Sequence, residues 1–170
     1  MTLGVKHNTV KLVKFNKDWA KHFESEKKRL EKILGKHALA IEHIGSTAIH
    51  GLKSKPIIDI TVGVPSLKLA KKYVKMLENA GYVNPDIFRQ DQHLMFSKRM
   101  SGVTTHHIHV VRHKGEIWKN HIGFRDHMRS NSKALKEYLK LKEKMGKKFA
   151  NDRPGYTKSK EEYVKRYCIK

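Results

Sequence analysis

The 170-residue chain has little cysteine, little acid and no long apolar run. Cys168 is the single cysteine, which excludes an internal disulfide and favours a reducing setting. No segment reaches the roughly 18 consecutive apolar residues that a membrane-spanning helix needs. Residues 1–13 also lack the apolar core of a secretory signal. We therefore predict a cytoplasmic protein that has no membrane partner.

Acidic residues are scarce: 16 Asp and Glu face 37 Lys and Arg, which gives a formal net charge of +21. A field of this sign attracts phosphates and nucleic acid. The lysines are spread along the whole chain, however, and zinc fingers and other base-reading motifs are absent. Charge alone leaves two interpretations open, a nucleic-acid partner and ordinary solvated helix faces.

Apolar periodicity predicts strands in the middle of the chain and helices toward both ends. The predicted strands are 38–44, 57–64, 93–98 and 105–111, the last two joined near Ser101-Gly102. The predicted helices follow Asn16, Pro65, Glu116 (with an interruption at Gly123) and Ser132, and a last one covers 158–167 after a break at Pro154-Gly155. This order predicts an α+β fold in one domain, residues 1–170, with one mixed sheet flanked by helices.

One carboxylate, Asp59, lies within the apolar strand 57–64. Burying a lone acid among Ile and Val is costly unless the acid is paired, hydrogen-bonded or bound to a metal. Because side chains alternate along a strand, Asp59 and Thr61 share one face. Asp59 is therefore a candidate site residue.

Two histidines, His107 and His109, share one face of the strand 105–111, with backbones roughly 6.6 Å apart. Imidazoles together with Asp59 would suit one transition-metal ion such as zinc. A solvated polar face is the equally weighted alternative. We expect His106 on the apolar face, and the remaining histidines at the surface.

A turn at Gly45-Ser46 follows the strand 38–44 and suits an anion. Glycine lets the backbone approach a ligand closely, and the serine hydroxyl with neighbouring amides can hold phosphate oxygens. Lys55, just before the next strand, could neutralise phosphate charge. These residues predict a phosphate-binding site.

Several segments together resemble one known family. They are Glu42–Ala48, Gly51-Leu52, Lys55–Ile60, His107–Val111, Trp118, Phe124–Arg129, Tyr156-Thr157 and Lys160. Over roughly residues 10–168 they resemble the GrpB family, which belongs to the nucleotidyltransferase superfamily that includes DNA polymerase beta. The resemblance implies a nucleotidyltransferase-like fold and transfer of a nucleotidyl group.

The resemblance also implies roles for individual residues. Gly45 and Ser46 would grip the phosphates of a nucleotide, and Arg125 would contact the triphosphate. Asp59 would hold a divalent ion, Mg²⁺ or Mn²⁺, since nucleotidyl transfer normally uses two such ions. Twelve residues separate Ser46 from Asp59, which fits the superfamily spacing.

The chain departs from the superfamily pattern at its other acids. Thr61 stands at the place of the second acid, and His107 or His109 at the place of the third. Glu42 is a further candidate ligand. Magnesium prefers oxygen ligands, so this set suits one softer metal such as zinc, or no metal.

Three functions remain open at this point. The first is a nucleotidyltransferase acting on a nucleoside triphosphate and an unknown acceptor. The second is a non-catalytic binder of a nucleotide, another phosphorylated small molecule or a polyanion. The third is a single-metal hydrolase using Asp59, His107 and His109. The sequence leaves the nucleotide base and the oligomeric state undetermined.

Overall fold

A computed structural model describes residues 3–6, 8–84 and 93–167. Its strands are β1 (Val5–Lys6), β2 (Ala40–Ile44), β3 (Ile58–Val64), β4 (His93–Met100) and β5 (Val103–Arg112). Its helices are α1 (Asp18–Leu34), α2 (Ala70–Asn79), α3 (Glu116–Ser130), α4 (Ser132–Lys148), α5 (Arg153–Lys158) and α6 (Glu161–Lys165). The predicted α+β fold with a mixed sheet is confirmed.

The sheet has the order β2–β3–β5–β4, with β1 pairing the first residues of β5. β3 and β5 are parallel, and the other pairs are antiparallel. The predicted link between β4 and β5 is confirmed: Ser101 and Gly102 have φ of 46° and 77°. Two positive φ values in succession are what a two-residue hairpin turn requires.

The two faces of the sheet have different coverings. Ile58, Ile60 and Val62 of β3 are fully buried in one core with side chains from α1 and α2. The opposite face, which carries Asp59 and Thr61, lies toward α3. Strand alternation therefore separates a structural face from a polar face.

The C-terminal helices differ from the prediction. α3 continues through Gly123 without interruption, since one glycine costs a helix only about 1 kcal/mol. Pro154 lies in the first turn of α5, where its missing N–H is not needed. The Asp152 carboxylate accepts a hydrogen bond from Gly155 N (2.9 Å) and caps this helix. The break predicted at Pro154-Gly155 is wrong, because both residues lie within α5. The last helix predicted over 158–167 is present as the shorter α6.

Cys168, the single cysteine, lies outside the described ranges. Within the described ranges, none of the helices combines the length and apolar character needed to cross a membrane.

Candidate functional site

Asp59 and His107 form the centre of the polar face. They are register partners on the parallel strands β3 and β5, and His107 Nδ1 lies 2.8 Å from Asp59 Oδ1. On the other side of the ring, Arg153 Nη2 of α5 lies 2.6 Å from His107 Nε2. Because the guanidinium can only donate, His107 carries its proton on Nδ1 and donates it to Asp59. The predicted proximity of Asp59 and His107 is confirmed.

Asp59 is ionised at neutral pH. Burial raises its pKa, but the hydrogen bond from His107 and electrostatic interactions with His107, His109 and Lys55 hold that pKa well below its usual range. Such a carboxylate is a poor proton acceptor and a good partner for cations.

Gly45 lets the turn lie against this carboxylate. Its φ is +67°, a left-handed value that favours glycine. A Cβ at this position would also lie 2.5 Å from Asp59 Oδ2 and 2.9 Å from Asp59 Cβ. Gly45 was predicted to let the backbone approach a ligand. In the structure, the group it lies against is the carboxylate of Asp59 on β3.

The residues after Gly45 are fixed by side chains on both sides. The Thr47 hydroxyl donates to the Ile57 carbonyl (3.3 Å) and accepts from His43 Nε2 (3.0 Å). Arg129 of α3 donates twice to the Ala48 carbonyl, at 2.8 and 3.1 Å. The turn is thus tied to both neighbouring strands and to α3.

Two tyrosines continue the wall of the site beyond the turn. The Ser46 side chain hydrogen-bonds with the hydroxyl of Tyr138 on α4, and burial raises the pKa of this tyrosine to about 12. Tyr156 of α5 is 1% exposed. Its hydroxyl has no hydrogen-bond partner among the protein atoms of the described residues.

Four basic side chains, which we call the cation cluster, surround Asp59 and the tyrosines. The cluster consists of Lys55, Lys142 of α4, Arg153 of α5 and Lys160, which precedes α6. The Asp59 charge acts on all four and raises the pKa of each member.

Lysines of the cluster lie over the tyrosine rings. The Nζ atoms of Lys160 and Lys55 are 3.7 and 5.4 Å from the centre of the Tyr156 ring. Lys142 Nζ is 5.5 Å from the Tyr138 ring centre and 3.3 Å from an oxygen of Ser54. Ring faces stabilise cations weakly and leave them able to bind an anion.

The charge of the cluster is only partly compensated. Burial, together with repulsion from Arg153, lowers the pKa of Lys55 to about 8. Burial and repulsion from Lys55 lower the pKa of Lys160 to about 7, and burial holds that of Lys142 well below its usual value. Burial thus disfavours the charged forms of these lysines, and a bound anion would favour them.

Histidines fill the end of the polar face that Thr61 occupies. The Thr61 hydroxyl is 3.2 Å from His121 Nδ1, and His109 Nδ1 is 2.9 Å from His93 Nε2. Burial lowers the pKa of His121 to about 4 and that of His109 well below its usual value. The expectation that the remaining histidines lie at the surface was wrong for His43, which is 8% exposed, whereas His93 and His121 are half-buried. His106 lies on the apolar face, as predicted.

Glu42 and Arg125 form an ion pair beside the site. Glu42 is the register partner of Thr61, and its carboxylate accepts from Arg125 Nη1 at 2.7 Å. The same guanidinium donates to the His43 carbonyl (3.0 Å) and to Asp126 (2.8 Å). Both side chains are thus engaged in bonds within the protein. The predicted roles of Glu42 as a metal ligand and of Arg125 as a triphosphate contact stay predictions.

The predicted metal ligands Asp59, His107 and His109 are close but not arranged around one point. The rings of His107 and His109 are 6.5 Å apart between centroids, and both nitrogens of His107 are already hydrogen-bonded. In the described part of the chain, no three His, Cys, Asp or Glu side chains form a set that could hold a metal ion. The metal assignment stays a prediction.

The sequence pointed to Gly45, Ser46, Lys55, Asp59 and His107, and the structure brings these together. The sequence assigned no role to five other side chains of the site, which lie on α4 and in the segment after it. These are Tyr138, Lys142, Arg153, Tyr156 and Lys160. One signal was available: Lys142 follows Tyr138 by four residues and Met145 follows by three more, which puts the lysine on the inward stripe of α4.

The fold is nucleotidyltransferase-like, with an acid on a central strand facing a Gly-Ser turn. A crystal structure of the Cid1 poly(U) polymerase with MgGTP bound superposes with a TM-score of 0.55. The alignment covers 79% of this chain and 44% of that chain, at 14% identity. This similarity is one of fold.

The chain belongs to the GrpB family, whose pattern matches residues 9–170. It is 40% identical over 166 residues to the glutamate-rich protein GrpB of Alkalihalophilus pseudofirmus, covering 95% of each chain. The crystal structure of the conserved protein GrpB from Enterococcus faecalis aligns with a TM-score of 0.77 at 27% identity. That alignment covers 92% of this chain and 99% of the other.

Proposed function

We propose that this chain binds a nucleoside triphosphate beside Asp59 and transfers its nucleotidyl group to an acceptor hydroxyl. The observation that carries the proposal is the packing of the Gly45-Ser46 turn onto an ionised Asp59 within a cluster of cations. Gly45 and Ser46 would hold phosphate oxygens, and Lys55 with its neighbours would neutralise them.

The proposed reaction is a substitution at the α-phosphorus. The acceptor oxygen forms a bond to that phosphorus, the bond to the bridging oxygen breaks, and pyrophosphate leaves with the electron pair. The hydroxyl proton passes to water, since Asp59 is too acidic to hold it. The cations of the cluster would stabilise the charge that develops on pyrophosphate.

The two divalent ions that serve this chemistry in the superfamily do not fit the residues present. Asp59 offers one carboxylate, and its Oδ1 is bonded to His107. Thr61 is neutral, and Glu42, the further carboxylate that the sequence offered, is engaged by Arg125. Magnesium requires more oxygen ligands than this set supplies.

A second candidate, a nucleotide binder without catalysis, is favoured by the same shortage of carboxylates. It would keep the turn and the cations and use Asp59 to organise them. The two candidates share the ligand and differ only in turnover.

The experiment is a panel of labelled nucleoside triphosphates with small and nucleic-acid acceptors, in Mg²⁺, in Mn²⁺ and in EDTA. The transferase should release pyrophosphate, and Asp59→Asn should abolish that release while the protein stays folded. Binding without release across the panel would select the second candidate. Absence of both binding and release would reject the proposal.

A further inference from the structure

We propose that the cation cluster is a metal-independent polyphosphate site. Side chains of α4, α5 and the segment before α6 neutralise the phosphate charge that divalent ions neutralise in other nucleotidyltransferases. The inference rests on the proposed function, because it concerns the same ligand. It goes further in naming Lys142, Arg153, Lys160 and Tyr156 as the polyphosphate-binding residues, and in requiring no metal.

The cluster is a built site and not a group of surface lysines. Lys142 is only 2% exposed, and Lys55, Arg153 and Lys160 are partly buried. Their positions are fixed by rings, by Ser54 and by His107. Exposed lysines adapt to solvent, whereas these four are held in one place.

The charges within the cluster do not balance. Four cations face Asp59, and in the described residues no other carboxylate acts on any of them. Arg99 adds a further positive charge near Arg153. The charged forms of the buried lysines need a negative partner, so an anion carrying several negative charges would complete the cluster. A triphosphate or tripolyphosphate has that chemistry.

An unused polar group supports the same assignment. The buried Tyr156 hydroxyl lacks a protein partner within the described ranges, while Lys55 and Lys160 lie over its ring. An unsatisfied buried hydroxyl is costly, typically about 1–3 kcal/mol. A phosphate oxygen beside the lysines would accept its hydrogen bond.

The test is calorimetric titration of the full chain with inorganic tripolyphosphate and with ATP, in excess EDTA and then in Mg²⁺. We expect binding in EDTA for both probes. Lys142→Met and Lys160→Met should each weaken it about tenfold or more, the loss of one charged hydrogen bond. Lys144→Met removes an exposed lysine of α4, and Lys158→Met removes one that lies two residues before Lys160. Both serve as charge-matched controls, with changes under about twofold.

The outcomes separate this inference from the proposed function. Binding that appears only with Mg²⁺ would overturn the inference and leave the proposed function standing. Failure to bind in either condition would overturn both. Equal losses in the buried and exposed lysine variants would indicate a general charge effect and would also reject the site. Circular dichroism checks that each variant is folded.

Discussion

Gly45 and Asp59 are in direct contact, so that the backbone of the turn and the carboxylate of β3 occupy adjoining space with no room for a Cβ between them. The contact explains why a glycine precedes Ser46: a side chain here would push away the acid that organises His107 and the cations. The phosphate turn and the acid are therefore one structural unit.

We predict that Gly45→Ala destabilises the protein more than Gly51→Ala does. Both glycines have positive φ, 67° and 77°, which costs alanine about 1 kcal/mol or more. Only Gly45 also meets Asp59, whereas a Cβ at Gly51 meets nothing within 4 Å. Overpacking adds about 1–3 kcal/mol. Urea denaturation of the two variants gives the comparison, and equal losses would show that the contact with Asp59 is unimportant.

We predict that Arg125→Lys lowers the unfolding free energy by about 1–3 kcal/mol, the range for charged hydrogen bonds. Lysine cannot reproduce the bonds to Glu42, the His43 carbonyl and Asp126 together. Tripolyphosphate affinity should remain within about twofold of wild type in a folded sample. A large loss of affinity with unchanged stability would instead support the role in triphosphate binding that the family resemblance implied.

The site divides into a part that the sequence predicts and a part that it does not. Asp59 and His107 were predictable because alternation fixes their faces and a parallel pairing places them side by side. Lys142, Arg153 and Lys160 were not, since they come to the site only through long-range docking of the C-terminal segments. Lys142 contacts Ser54 across 88 residues, and Arg153 contacts His107 across 46. Long-range packing likewise half-buries His93 and His121, whose sequence neighbours give no sign of it.

We predict that the ligand-free protein becomes more stable between about pH 7 and pH 10. Lys160 and Lys55 have folded pKa values of about 7 and about 8, lowered from 10.5. In this window the unfolded chain holds protons that the folded chain has released, so raising the pH favours folding. Above pH 10 stability should fall again, because burial raises the pKa of Tyr138 and Tyr156. The folded chain then keeps tyrosine protons that the unfolded chain has released.

Denaturant titrations across this window measure the slope. Lys160→Met should flatten it, because the residue responsible for much of the proton release is gone. Lys158→Met, which removes an exposed lysine, should leave it unchanged. A wild-type stability that falls from pH 7 to pH 10 would contradict the assignment of lowered lysine pKa values.

We predict that single-stranded RNA and tripolyphosphate respond differently to salt. If the net charge of +21 serves nucleic acid, RNA affinity should fall steeply and linearly in a plot of log affinity against log salt. The half-buried cation cluster is screened less than exposed lysines, so tripolyphosphate binding should have the shallower slope. Fluorescence anisotropy and calorimetry over one salt series provide both slopes. Identical slopes would mean that both probes bind the exposed surface.

Lys142→Met should make the ligand-free protein more stable, by about 1 kcal/mol or more, although it removes the hydrogen bond to Ser54. A charge buried among other cations is unfavourable, and methionine fills a similar volume between Tyr138 and the lysines without it. Thermal unfolding should show a rise of a few degrees, roughly 2–4 °C per kcal/mol, while Lys144→Met stays within about 0.5 kcal/mol of wild type. In saturating tripolyphosphate, wild type should unfold at a higher temperature than Lys142→Met, because only wild type gains the full binding energy. A lysine that stabilises the fold without ligand would have a structural role instead, and Lys142→Met would then unfold at a lower temperature than both wild type and the control.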